Sequence, residues 1–205
     1  MKKLNFRLLA ALPCLLLALT TTGRAQTTLT PRGSLWIEGD STLHRWSSTS
    51  TAVEMSVASP GSGEDLAAAV KAGKFAGLVV HIPDASLKSG ESGLDKNMRV
   101  AMKAAEFPEV SYRLDRYELG KSAADGATPI HAAGELTIAG RTRAVSIDAR
   151  LAFSADGLHL VGSYPLNMSD YGIKPPTLMF GAIKVKDPVV VRFDLLLASN
   201  REKTK

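Results

Sequence analysis

The sequence predicts an all-β domain of antiparallel strands with two short helices, and three observations carry that prediction. Apolar residues recur at every second position in six separate segments. Turn-forming Gly, Pro and Asp residues punctuate the chain between those segments. Two stretches alone switch to a helical period.

The alternating segments set Leu35 and Ile37 against Trp36 and Glu38, Val53, Met55 and Val57 against Glu54 and Ser56, and Leu78, Val80 and Ile82 against Val79 and His81. Further along, Val110, Tyr112 and Leu114 alternate with Ser111, Arg113 and Asp115. The run Val145, Ile147, Ala149, Leu151, Phe153 alternates with Ser146, Asp148, Arg150, Ala152, and Val189, Val191, Phe193, Leu195, Leu197 close the chain in the same way. Each pattern describes a strand with one apolar and one wetter face. Pro60-Gly61-Ser62-Gly63, Ala155-Asp156-Gly157 and Lys186-Asp187-Pro188 break the runs, and Leu136–Ile138, Ala139–Thr142 and Val145 onward read as a hairpin. Helices are expected over Glu64–Ala72, ended by Gly73, and over Leu94–Ala105, ended by Phe107-Pro108. In the second, Leu94, Met98 and Met102 share one face. Eight or more strands in one domain follow. Periodicity alone leaves a closed barrel and a sandwich both open, although closure would remove exposed edges.

The first 25 residues have the layout of a secretory signal peptide: Lys2, Lys3 and Arg7, then an apolar run from Leu8 to Leu19, then small residues at Gly23 and Ala25. The run is short for a membrane span and contains Pro13. Cleavage after Ala25 removes four basic side chains and no acidic one, which brings the formal charge from +5 to +1. A near-neutral domain carries no electrostatic footprint for nucleic acid. It also removes Cys14, the only cysteine, so disulfides and thiol chemistry are excluded from the mature chain. Expected boundaries are a signal peptide at 1–25, a flexible segment at 26–33, one domain at 34–198 and a polar tail at 199–205. The expected location is the periplasm or the exterior.

Chemistry-bearing motifs are sparse. Neither a Gly-x-Ser-x-Gly elbow nor a phosphate-cradling glycine loop occurs. His44, His81, His131 and His159 lack metal-ligand spacing and read as surface or loop residues. Ser41 and His44, beside Asp40, invite a hydrolase reading, yet a turn between strands suits them better because no buried orienting group or oxyanion site accompanies them. Trp36 and Trp46 are expected to cover the core. Many aliphatics and only 6% aromatic residues leave a ligand-filled and a side-chain-filled barrel equally open.

Five segments, in order, carry a resemblance to a known family. Gly134-Glu-Leu-Thr-Ile-Ala-Gly-Arg-Thr-Arg-Ala-Val145 resembles the G-x-L-T-I-x-G-x-T-x-x-V hairpin of the YceI-like, lipid/polyisoprenoid-binding family. Gly39–Trp46 resembles its opening strand pair. Leu94-Asp95-x-x-Met98 followed by Phe107-Pro108-x-Val110-x-Tyr112 resembles its helix and the F-P-x-I-x-F/Y strand after it. Asn167–Ile173 resembles its N-x-x-D-Y/F-G-I loop, and Val185–Val191 its closing strand. The resemblance spans Leu35 to Leu197. It implies an antiparallel eight-stranded, lipocalin-like barrel that takes an isoprenoid chain and has no catalytic residues. The Glu64–Ala72 helix and the Lys174–Gly181 loop are elaborations on that pattern.

The expected function is a non-enzymatic exported carrier or store for an isoprenoid lipid or quinone tail, with no cofactor beyond that ligand, no metal and at most transient membrane contact. Its oligomeric state is left open, a homodimer included. A filled barrel serving as a structural or interaction module of the envelope is the alternative. Alternation selects Ile37, Leu78, Val80, Ile82, Tyr112, Leu114, Leu136, Ile138, Val145, Ile147, Leu160, Val191 and Phe193 as inward, ligand-facing residues. Met98, Met179 and Phe180 are expected to form an adaptable cap at one end.

Overall fold

The computed structural model describes residues 26–58, 66–75 and 77–198. Eleven strands run in chain order as β1 (Gln26–Leu29), β2 (Arg32–Ser41), β3 (Arg45–Ser50), β4 (Glu54–Ala58), β5 (Val79–Pro83), β6 (Glu109–Leu119), β7 (Ala127–Ile138), β8 (Arg141–Ser154), β9 (Gly157–Asn167), β10 (Thr177–Leu178) and β11 (Ile183–Ala198). Two helices accompany them, α1 (Leu66–Lys71) and α2 (Ser92–Ala101). The hydrogen-bonded order is β1-β4-β5-β6-β7-β8-β9-β11-β2-β3, every described pairing being antiparallel, with β10 a short flap on β11.

Chain continuity closes this open order into a ring. β1 runs into β2 and β3 into β4, so the pairings Leu29↔Met55 and Leu35↔Ser50 belong to one bent hairpin whose register slips by one residue at the corner. Counting each bent strand once gives eight staves, with β2 held by β11 on one side and β4 by β5 on the other. Beside the corner, Thr49 and Lys88 exchange backbone hydrogen bonds of 2.8 and 2.9 Å, which covers the outer edge of β3.

The alternation has the expected sense. Val53, Met55 and Val57 are buried, as are Leu35, Ile82, Leu114, Leu136, Ile138, Leu151 and Leu195. The β7–β8 hairpin turns through Ala139 and Gly140, both at positive φ (49° and 74°), the two-residue geometry that matches strand twist. The segment expected to be flexible at 26–33 is instead strand: β1 pairs with β4 over four positions, and Arg32 and Gly33 begin β2 against β11. Helix α2 ends earlier than expected. Lys103, at φ 56°, takes the left-handed place usually given to glycine, with Ala104 N–H donating to the Arg99 carbonyl and Lys103 N–H to that of Val100. The signal peptide, the Gly61-Ser62-Gly63 approach to α1 and the polar tail lie outside the described residues.

Candidate functional site: an apolar chamber inside the barrel

Inward residues of nine strands, Trp46 of β3 and Met55 of β4 among them, line a chamber of about 270 Å³. β2 contributes Leu35 and Ile37, β5 Val80 and Ile82, β6 Tyr112 and Leu114, and β7 Leu136 and Ile138. Ile147 and Leu151 face it from β8, Leu160 and Tyr164 from β9, and Val191 and Phe193 from β11. The wall shows the space no polar surface. Aromatic rings gain room where the facing strand has no side chain: a Cβ on Gly162 would stand 2.4 Å from Cζ of Phe193.

Both ends are stoppered by helices. At one end α2 turns Leu94, Met98 and Met102 inward, the face that its i, i+4, i+8 spacing defines. Asp95, on the same helix, anchors it by accepting hydrogen bonds from Ser89 N–H (2.8 Å) and Ser89 Oγ (2.7 Å). Those bonds hold its carboxyl below the ordinary aspartate range. At the other end Val70 of α1 and Phe75 reach the chamber. Tyr117 ties this stopper to β6: its hydroxyl donates to the Val70 carbonyl (2.8 Å) and accepts from Phe75 N–H (3.4 Å).

Thirteen of the residues selected by alternation or as a cap line the chamber: Ile37, Leu78, Val80, Ile82, Met98, Tyr112, Leu114, Leu136, Ile138, Ile147, Leu160, Val191 and Phe193. Val145 does not. It is buried in the core but faces an outer cleft, beyond the point where β8 and β9 stop pairing. Phe180 is fully exposed at a positive φ of 54°, so it does not cap the chamber. The side chain of Met179 lies outside the described set. Leu94, Met102, Val70 and Phe75 line the chamber in addition. The first two were legible in the helical spacing, whereas α1 and Phe75 become neighbours of the chamber only through tertiary packing.

Two polar atoms in this region are buried without a hydrogen-bond partner, the Tyr112 hydroxyl and Trp46 Nε1. Burial, with a smaller contribution from Asp115, pushes the Tyr112 hydroxyl up to about 12, so it stays a neutral donor. Trp46 lines the chamber, whereas Trp36 does not: it lies in β2 opposite Arg192 of β11, and its Nε1 donates to Glu38 at 3.1 Å.

Ser41 and His44 form a turn. The Ser41 hydroxyl donates to the His44 carbonyl (2.8 Å) and accepts from the backbone N–H groups of Leu43 and His44, while His44 Nδ1 meets the Arg45 carbonyl. The other histidines sit on the outer face in cross-strand pairs: His81 with Glu109 (3.1 Å), His131 with Asp148 (2.7 Å) and His159 with Asp194 (2.6 Å). Among the described residues no group of three or more His, Cys, Asp or Glu is placed to hold a metal ion.

The fold and its chamber define an antiparallel β-barrel with an apolar interior. The model of the YceI-like domain matches residues 35–197, and the chain belongs to that family. Among solved structures it is similar to BcnA from Burkholderia cenocepacia, with a TM-score of 0.63 at 15% identity over 81% of this chain and 96% of that one. It is also similar to a polyisoprenoid binding domain from Saccharophagus degradans, with a TM-score of 0.62 at 12% identity over 86% of this chain and 99% of that one. No curated protein matches the chain.

Proposed function

We propose that this protein is an exported, non-enzymatic binding protein that holds the chain of an isoprenoid lipid or quinone in its barrel for transport or storage. The single observation that carries the reading is the chamber of about 270 Å³ with an apolar wall. Protein interiors normally lack voids much larger than a water molecule. A bound apolar chain fills that space, at about 25 cal/mol per Å² of surface removed from water. The same observation weighs against the filled-barrel module.

The chamber also bounds the ligand. A cavity of about 150 Å³ accommodates benzene, so this one suits on the order of ten carbon atoms, or two isoprene units. A longer tail requires α2 or α1 to move outward, or part of the chain to remain outside the barrel. The polyisoprenoid-binding neighbour supports an isoprenoid as the ligand class. Export rests on the leader at residues 1–25 and is tested by sequencing the N-terminus of the mature protein, with Gln26 expected first.

The test is uptake of prenyl lipids by the purified mature protein. Ile138→Arg and Val191→Glu each place a charge against the chamber and are expected to reduce uptake at least about tenfold, because an unpaired charge cannot be buried beside an apolar chain. Circular dichroism establishes that each variant is folded. Undiminished uptake by a folded variant would contradict the assignment.

A further inference from the structure

A second concavity, a cleft of about 940 Å³, adjoins the chamber, and Trp46, Tyr164, Leu166 and Val189 line both. The barrel wall is open beside it. The β8–β9 ladder stops at Ala149↔Gly162, so residues 141–148 and 163–167 have no register partners in each other. β8 stays paired with β7, and β9 with β11 as far as Asn167. The turn at Met168–Tyr171 lies across the gap, held by a 2.9 Å hydrogen bond from Arg143 Nε to the Asp170 carbonyl.

The polar groups of the cleft are unequally satisfied. Glu38 pairs with Arg192 (2.8 Å), and Asp40 with Arg45 (3.6 Å) and Lys186 (3.7 Å). The Asp170 carboxylate accepts from Asn167 Nδ2 at 3.3 Å. Of the cleft's cations Arg45, Arg143 and Arg192, Arg143 alone has no carboxylate partner among the described residues. Its Nε is spent on the Asp170 carbonyl, and its remaining N–H groups are left for another acceptor. That chemistry suits a ligand bearing anionic acceptor oxygens.

We propose that this cleft is a head-group site: it takes the phosphate or carboxylate of an amphiphile whose chain passes between β8 and β9 into the chamber, with Arg143 as the donor. The proposal rests on the reading of the chamber as a chain-binding site. Its closing experiment separates the two.

Binding of three ten-carbon probes, geranyl phosphate, geraniol and the corresponding hydrocarbon, is measured for the full mature chain and for Arg143→Gln and Arg143→Lys. The unmodified protein should bind the phosphate about tenfold or more tighter than the alcohol, the scale of one charge-assisted hydrogen bond. Arg143→Gln should collapse that ratio to within about threefold, and Arg143→Lys should retain much of it. Melting curves check that the variants are folded. Equal binding of all three probes by the unmodified protein, or a ratio untouched by Arg143→Gln, would overturn the head-group assignment and leave the chamber reading standing. Failure of all three probes to bind would overturn both.

Discussion

The indole of Trp46 on β3 lies against its cross-strand partner Gly39 on β2, so closely that a Cβ on Gly39 would stand 2.4 Å from Cζ2 of the ring. The glycine lets a large ring fold flat against the wall, where its other side lines both chamber and cleft. Gly39→Ala should therefore lower stability by about 1–3 kcal/mol, the usual cost of overpacking. Denaturant unfolding measures it. The loss should shrink in a Trp46→Phe background, and unchanged stability of the single variant would refute the contact.

Ala132 lines the chamber from β7 and leaves part of it unfilled. Ala132→Leu should occupy that space, stabilise the ligand-free protein by up to about 2 kcal/mol and weaken chain uptake. Thermal melting with and without a prenyl lipid reads both effects. Stabilisation with unimpaired uptake would mean that the chain binds elsewhere.

Asp84 is 1% exposed, and one of its carboxylate oxygens has no hydrogen-bond partner. Burial, reinforced by Glu109, raises its pKa to about 6. The folded protein therefore binds a proton that the unfolded chain has released between about pH 4 and 6, and stability falls as pH rises through that window. Asp84→Asn should remove this dependence. By linkage, the advantage of the variant should be small near pH 4 and grow to on the order of 3 kcal/mol above pH 7. Melting curves across pH 4–8 test this. A difference independent of pH would contradict the assignment.

Phe180 is exposed at a positive φ and touches neither the chamber nor the core cluster. Phe180→Gly should raise stability by about 1 kcal/mol by relieving the left-handed backbone, and should leave lipid uptake unchanged. Loss of uptake would restore the capping role that its apolar character suggested.

The fold was legible wherever a strand alternates apolar and polar side chains, as Leu35–Glu38 and Val145–Leu151 do, because one face is buried and the other wet. β3 is invisible to alternation for the opposite reason. Its inward residues Ser48 and Ser50 are buried hydroxyls, so no apolar alternation marks it, and only the turn at Ser41–His44 and the family resemblance of Gly39–Trp46 point to a strand there. Ring closure is also hidden from periodicity, and only the family resemblance implies it, since it depends on a bent hairpin whose corner at Thr51 and Ala52 carries no pattern of its own. Val145 shows the limit of alternation: it has the same parity as Ile147, yet the strands splay beneath it, and parity does not report where a ladder ends. Phe180 shows another limit, for an apolar residue beside a glycine can as readily face solvent as a cavity.

The most direct test of the central claim is mass spectrometry of the organic extract from mature protein purified out of its native envelope, followed by reloading of the stripped protein with prenyl lipids. The account predicts a prenyl lipid or quinone in stoichiometric amount and recovery of that complex on reloading. An empty extract, together with no uptake of added prenyl lipid, would contradict it.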